Sequence, residues 1–168
     1  MRRREAVSSL RAHARPGQVL FICHGNLCRS PFAELVFRRE MQHMQAGLFE
    51  SVSAGFVGPN RRPPSEAFAA AGRCGIDLSG HRSRLVTFDL VHTSAIVVVM
   101  SMAQARAIGR LAGPVSPMIV VLGDLDPLPI STRTIRDPWS ETAEVFDASY
   151  ARIERCVREL ASHLSAHT

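Results

Sequence analysis

Apolar residues in this chain gather into short unbroken runs. Residues 19–23 (VLFIC), 95–100 (AIVVVM) and 118–122 (MIVVL) have no polar position inside them, as expected of strands covered on both faces. Residues 49–54 (FESVSA) read as a fourth, weaker strand. Between these runs apolar positions recur at helical spacing, predicting helices over 30–45, 65–73, 102–111 and 141 to about 164. In the last, Phe146, Tyr150, Ile153, Val157, Leu160 and Leu164 form one apolar stripe on an otherwise charged helix, which suits packing on a sheet. Strands alternating with helices predict parallel βαβ units, hence an α/β open sheet with helices on both faces. Ligands in such sheets bind beyond the carboxyl ends of the strands. That singles out the loops after Cys23, Ala54, Met100 and Leu122, with 55–64 (GFVGPNRRPP) the most loop-like interior stretch.

The chain length of 168 residues, with 46% apolar and 21% charged positions, fits one domain, placed at residues 17–168. All twenty basic residues are arginine. Without lysine there is no Walker-type phosphate loop and no Schiff-base chemistry, so any phosphate must be held by arginine and backbone. The net charge of +5 does not imply nucleic acid, because residues 1–16 carry five arginines against Glu5 and account for +4 of it. This tail is expected to be a disordered, solvated arm. No apolar run reaches the roughly 18 residues that span a bilayer, and four irregularly spaced cysteines do not read as a disulfide scaffold. The expectation is a soluble, cytoplasmic protein with reduced thiols.

The candidate chemistry sits in FICHGNLCRSP, residues 21–31. Cys23 ends a predicted strand, Arg29 follows it by six positions, and Ser30 and Pro31 suit a helix N-cap and first turn. Gly25 and Asn26 tolerate the tight or left-handed backbone such a turn needs. A loop wrapped at a helix N-terminus aims several N–H groups, with the helix's partial positive charge, at one point. A phosphate dianion could sit there under the planar fork of Arg29, and the same field favours an anionic, nucleophilic sulfur on Cys23. A buried structural cysteine beside a surface arginine is the alternative.

This string resembles the phosphate loop of the low-molecular-weight protein tyrosine phosphatases, and SAG at 53–55, GIDLSGHRSR at 75–84 and DPW at 137–139 follow in that family's order. The resemblance, over about 18–164, implies a four-stranded parallel sheet of flavodoxin-like fold, no cofactor and no metal. It implies hydrolysis of phosphotyrosine in two steps: Cys23 takes the phosphoryl group and water then releases it. Arg29 and the loop His24, Gly25, Asn26, Leu27, Cys28 would hold the oxygens. Ser53 and His81 would support Asn26, and the Ser30 hydroxyl would donate to the thiolate. Cys28 would trap oxidised Cys23 as a disulfide. The implied partners are tyrosine-phosphorylated proteins, a bacterial tyrosine kinase among them, and phosphate-like oxyanions.

Expelling a phenolate requires a proton donor. Two Asp-Pro pairs, Asp126-Pro127 and Asp137-Pro138, precede the last helix together with Asp124; the resemblance favours Asp137, followed by an aromatic residue, and leaves Asp126 to shape the turn. Trp139 and Phe56 are expected to wall an aryl pocket, and Arg61 and Arg62 to attract acidic phosphopeptides. Ser101 stands where many relatives carry an acidic residue. Three rivals remain: arsenate reduction on the same scaffold, which needs further cysteines near the site; a non-catalytic redox or phosphate-binding module; and a zinc site on Cys23, His24 and Cys28.

Overall fold

The computed structural model describes residues 2–166; Met1, His167 and Thr168 lie outside them. Four strands, β1 (Gly17–Cys23), β2 (Phe49–Gly55), β3 (Ser94–Val99) and β4 (Met118–Val121), pair in parallel in the order β2-β1-β3-β4. This is the flavodoxin-like α/β arrangement expected from the alternating runs. Six α-helices accompany them: α1 (Arg2–His13), α2 (Arg29–His43), α3 (Ser65–Arg73), α4 (Phe88–His92), α5 (Met102–Ala112) and α6 (Ala143–Ser165). A 3-10 turn, Leu122–Leu125, follows β4.

Successive residues of a strand point to opposite faces, so the unbroken apolar runs feed two cores. Val19, Phe21, Cys23, Ile96 and Val98 face α2, α3 and α6, where the Phe146–Leu164 stripe is buried against them. Leu20, Ile22, Val97 and Val99 face α4 and α5 through Val91, Ile108 and Ala112. Cys23 thus emerges on the α2 side at the carboxyl end of a central strand.

Two expectations need correction. The basic tail is not a disordered arm: residues 2–13 are the helix α1, which buries Leu10 completely in the larger core and packs Ala6, Val7 and Ala14 against it. Arg3 pairs with Glu159 of α6. The apolar positions of this helix are too few to outweigh its charge when read alone, but a preformed groove beside α6 buries them. Ser30, moreover, is not the N-cap of α2. The helix begins at Arg29 after Cys28, which makes no side-chain cap, so Ser30 lies inside the first turn. Ser101 caps α5 by accepting from the Gln104 N–H, while the Gln104 side chain accepts from the Met100 N–H at 2.8 Å. This reciprocal capping is what the serine contributes at the start of α5.

Candidate active site

The loop between β1 and α2 closes on itself through one left-handed residue. Asn26 has φ 53°, a conformation asparagine adopts more readily than most side chains, and every polar atom it offers beyond its own N–H is engaged. Its Nδ2 donates to Ser30 Oγ and Ser53 Oγ, each at 2.9 Å. Its Oδ1 accepts from the Arg84 N–H at 2.9 Å and its carbonyl from His81 Nε2 at 2.8 Å. A backbone strained in this way persists because its surroundings over-determine it. Burial holds the His81 ring neutral by lowering its pKa, against the raising influence of its bond to the Asn26 carbonyl.

Those bonds orient the two hydroxyls. With Asn26 donating to its oxygen, the Ser30 hydroxyl has two acceptors within reach of its proton, Cys23 Sγ at 3.1 Å and the Ala54 carbonyl at 3.4 Å. Ser53 turns its proton to Glu34 Oε2 at 2.6 Å. One neutral chain of hydrogen bonds therefore runs from the sulfur through Ser30, Asn26 and Ser53 to a buried carboxylate. Sequence reasoning missed Glu34, although its i,i+4 spacing from Ser30 puts both on one face of α2. It also missed Arg84, whose contact through the main chain leaves no signature.

Around the sulfur the donors are unspent. Among the described residues no backbone N–H from 24 to 28 donates a hydrogen bond, and Arg29, 4% exposed, keeps its Nε buried without a partner. Its other nitrogens donate to the Ile135 carbonyl at 3.1 Å and to the Asp137 carboxylate. A buried charged donor with no acceptor is costly, and an oxyanion resting on the loop would satisfy it. Burial, with the charges of Cys23 and Asp137 adding to it, pushes the Cys28 thiol upward, so it stays protonated. From α6, the buried Tyr150 stacks on Phe32 at 4.0 Å and donates to the Cys28 carbonyl at 3.1 Å, bracing the loop from beneath.

Above the sulfur lies a cavity of ≈ 300 Å³ lined by Cys23, His24, Gly25, Leu27, Cys28, Val57, Arg61, Asp137 and Trp139. A larger hollow of ≈ 550 Å³ lies along the far end of α2, away from the loop. The two Asp-Pro candidates separate completely. Asp126 is buried and held by Arg152 at 2.9 Å and Arg155 at 2.8 Å, whose hydrogen bonds outweigh burial and lower its pKa. Asp137 sits on the cavity rim with its side chain 42% exposed. The segment carrying it is anchored by fully buried Ile135, whose N–H donates to the Met100 carbonyl at 3.0 Å, and by Ser149 on the Arg136 carbonyl. Trp139, half exposed, lines the cavity; Phe56 does not. Phe56 packs against the Leu20–Ile22 core, and Val57 takes the pocket position. Strand alternation carried past Gly55 turns residue 56 away from the loop. No group of three or more His, Cys, Asp or Glu positioned to hold a metal occurs among the described residues.

Residues 18–168 match the family model described as low molecular weight phosphotyrosine protein phosphatase. The chain is 27% identical over 149 residues to the low molecular weight protein-tyrosine-phosphatase Etp of Escherichia coli K12, covering 88% of this chain and 94% of Etp. It is 30% identical over 146 residues to the low molecular weight phosphotyrosine protein phosphatase of Sus scrofa, covering 83% and 90%. The crystal structure of the tyrosine phosphatase Wzb from Escherichia coli K30 in complex with sulphate superposes with a TM-score of 0.75 at 27% identity, over 88% of this chain and 98% of that one.

Proposed function

The chain belongs to the low molecular weight phosphotyrosine protein phosphatase family, and on that premise we propose that Cys23, Arg29 and Asp137 carry its reaction. The protein is an enzyme that hydrolyses phosphotyrosine. The Cys23 thiolate attacks phosphorus, the bond from phosphorus to the tyrosyl oxygen breaks, and protonated Asp137 gives its proton to the departing phenolate. Water then attacks the phosphocysteine, its proton passes to the Asp137 carboxylate, and the P–S bond breaks to release phosphate. Arg29 and the N–H groups of residues 24–28 hold the equatorial oxygens through both steps. The Ser30 hydroxyl donates to the sulfur as it leaves. An incoming phosphoryl group competes with Asp137 for the guanidinium of Arg29, freeing the acid to face the leaving oxygen.

The observation that carries this reading is a nucleophilic sulfur at the floor of a loop whose amides, and whose one buried arginine Nε, have no protein acceptor. A tetrahedral dianion satisfies them together, and a relative has been solved with sulphate. Leu27, Val57 and Trp139 favour an aryl over an alkyl ester by apolar contact with the ring. Arsenate reduction is not favoured: the relatives are named phosphatases, and of the cysteines outside the loop Cys156 is buried in α6, where burial pushes its thiol up to about 12, while Cys74 ends α3. A hydroperoxide that oxidises Cys23 to a sulfenic acid would let the Cys28 sulfur attack that sulfur, its proton leaving with the sulfenic hydroxide as water, and close a disulfide that spares Cys23 from irreversible oxidation. Four free cysteines suit a reducing compartment such as the cytoplasm, and no helix among the described residues is long and apolar enough to cross a membrane. The substrates are phosphotyrosyl proteins, a tyrosine kinase among them. Hydrolysis of p-nitrophenyl phosphate by the wild type, its abolition in Cys23→Ser, and a loss of about 10²–10³-fold in kcat for Arg29→Ala test the assignment. Unimpaired turnover in Cys23→Ser would overturn it.

A further inference from the structure

We infer that Arg61 selects phosphotyrosines with an acidic residue beside them, its guanidinium binding that residue's carboxylate at the mouth of the pocket. This rests on the phosphatase reading and extends it to the peptide around the phosphoryl group. Arg61 lines the same cavity as Cys23 and Asp137, and its main chain is clamped. Its N–H donates to Ser83 Oγ at 2.9 Å, its carbonyl accepts from the Ser83 N–H at 3.0 Å, and the Ser83 hydroxyl continues to the Gly58 carbonyl at 2.6 Å. The side chain is seated as well. It folds back so that Nε donates to the Gly58 carbonyl at 3.0 Å and Nη2 to the Val57 carbonyl at 3.3 Å.

Two glycines form that seat. A Cβ on Gly58, itself at φ 63°, would lie 2.3 Å from Arg61 Nε, and a Cβ on Gly25 of the phosphate loop would lie 3.1 Å from Nη2. The cation is therefore held over the edge of the loop, and it is held by neutral carbonyls alone. Elsewhere in the molecule arginines meet carboxylates: Arg39 with Glu154, Arg73 with Asp147, Arg133 with Asp124 and Arg136 with Glu141. Arg61, Arg62, Arg82 and Arg84 pair with none among the described residues, and the two segments that bear them, 56–64 and 81–85, contain no Asp or Glu. One side of the pocket mouth is thus a preorganised cation, with its counter-charge left to the ligand. A phosphoryl group bound on the loop occupies Arg29 and the amides, so the group left for Arg61 is a carboxylate on a neighbouring residue of the substrate chain, met by a planar fork suited to bidentate pairing.

The test compares phosphotyrosyl peptides of equal length carrying Glu, Ala or Arg at the positions flanking the phosphotyrosine. For wild type, kcat/KM should be about fivefold higher for the Glu peptide than for the Ala peptide, the upper range for an ion pair at an exposed arginine, and lowest for the Arg peptide. Arg61→Ala should bring the Glu-to-Ala ratio to within about twofold, Arg61→Lys should keep part of it, and Gly58→Ala, which evicts the guanidinium without removing the charge, should lower it. The ratio should shrink as salt is raised. The same peptides titrated onto Cys23→Ser report the preference as Kd without chemistry. Binding with acid preference but no hydrolysis by wild type would overturn the phosphatase reading alone. Hydrolysis with no acid preference, or a preference untouched by Arg61→Ala, would overturn this one alone.

Discussion

Replacing Gly55 with alanine tests how closely β2 must approach the phosphate loop. Gly55 ends β2 opposite Cys23 in the ladder, and a Cβ there would lie 2.6 Å from the Asn26 N, 2.8 Å from the His24 carbonyl oxygen and 2.9 Å from the Gly25 carbonyl carbon. All three are backbone atoms, so no side chain can swing aside. Restoring an ordinary contact of 3.4 Å with the Asn26 nitrogen requires a movement of about 0.8 Å. The strand cannot supply it cheaply, because Gly55 is pinned by Gly55 N–H to Arg84 carbonyl at 2.9 Å and Val86 N–H to Gly55 carbonyl at 2.8 Å. The loop must therefore move. A shift of that size stretches the 2.9 Å bonds from Asn26 to Ser30 and Ser53 beyond hydrogen-bond range and displaces the amides meant for the phosphoryl oxygens. The expected cost is about 1–3 kcal/mol of stability from overpacking, a fall in Tm of roughly 2–4 °C per kcal/mol for a chain of this size. Misplacing the oxyanion donors should lower kcat for p-nitrophenyl phosphate by about 10²-fold. Thermal unfolding and steady-state kinetics on the purified variant read the two effects separately. An alanine variant with kcat within threefold of wild type would refute the claim that this contact holds the loop in register.

Asp126→Asn should destabilise by about 3 kcal/mol, since it leaves Arg152 and Arg155 facing a neutral amide at a buried site, whereas Asp137→Asn, at a half-exposed carboxylate, should cost only about 1 kcal/mol through its ion pair with Arg29 and slow turnover most for poor phenolate leaving groups; denaturant titration and a leaving-group series check both, and the reverse pattern would exchange the two assignments. Leu10→Ala should cost about 2–3 kcal/mol with kcat/KM within twofold of wild type, because Leu10 is fully buried and remote from the pocket; an unchanged Tm would mean α1 is not docked in solution. Burial lowers the pKa of both His81 and His163, so the unfolded chain binds protons more readily and stability should rise with pH through the interval just below about 6.5, then level off. Urea unfolding at pH 5 and pH 7 measures this, His163→Asn should flatten part of the slope, and a stability that falls from pH 5 to pH 7 would contradict it.

The strands and their order of burial were legible in the chain because an unbroken apolar run has few alternatives to a strand covered on both faces. The grouping of Cys23, Asn26, Arg29 and Ser30 was legible because the loop is local: one strand end, one turn and one helix start contain it. What sequence could not reach were contacts made across the sheet or through the main chain. The Arg84 N–H that steadies Asn26 would be donated by any residue other than proline, so its identity carries no signal. Val57 rather than Phe56 lines the pocket because the last residue of β2 decides which side chain turns inward. The Arg-rich residues 2–13 look solvated when counted, and only the groove beside α6 turns Ala6, Val7 and Leu10 into a buried face.

The two Asp-Pro pairs mark the boundary most clearly. Sequence alone determined that an acid on the last long loop was available, and the family resemblance chose between near-identical dipeptides. Tertiary structure separates the two physically, burying Asp126 between two arginines of α6, which fixes its charge as part of the scaffold, and leaving Asp137 at the cavity rim beside Arg29. Spacing along a chain determines which groups can meet within one turn or one helix; burial and charge at a given point depend on segments more than a hundred residues apart, and only the folded chain brings those together.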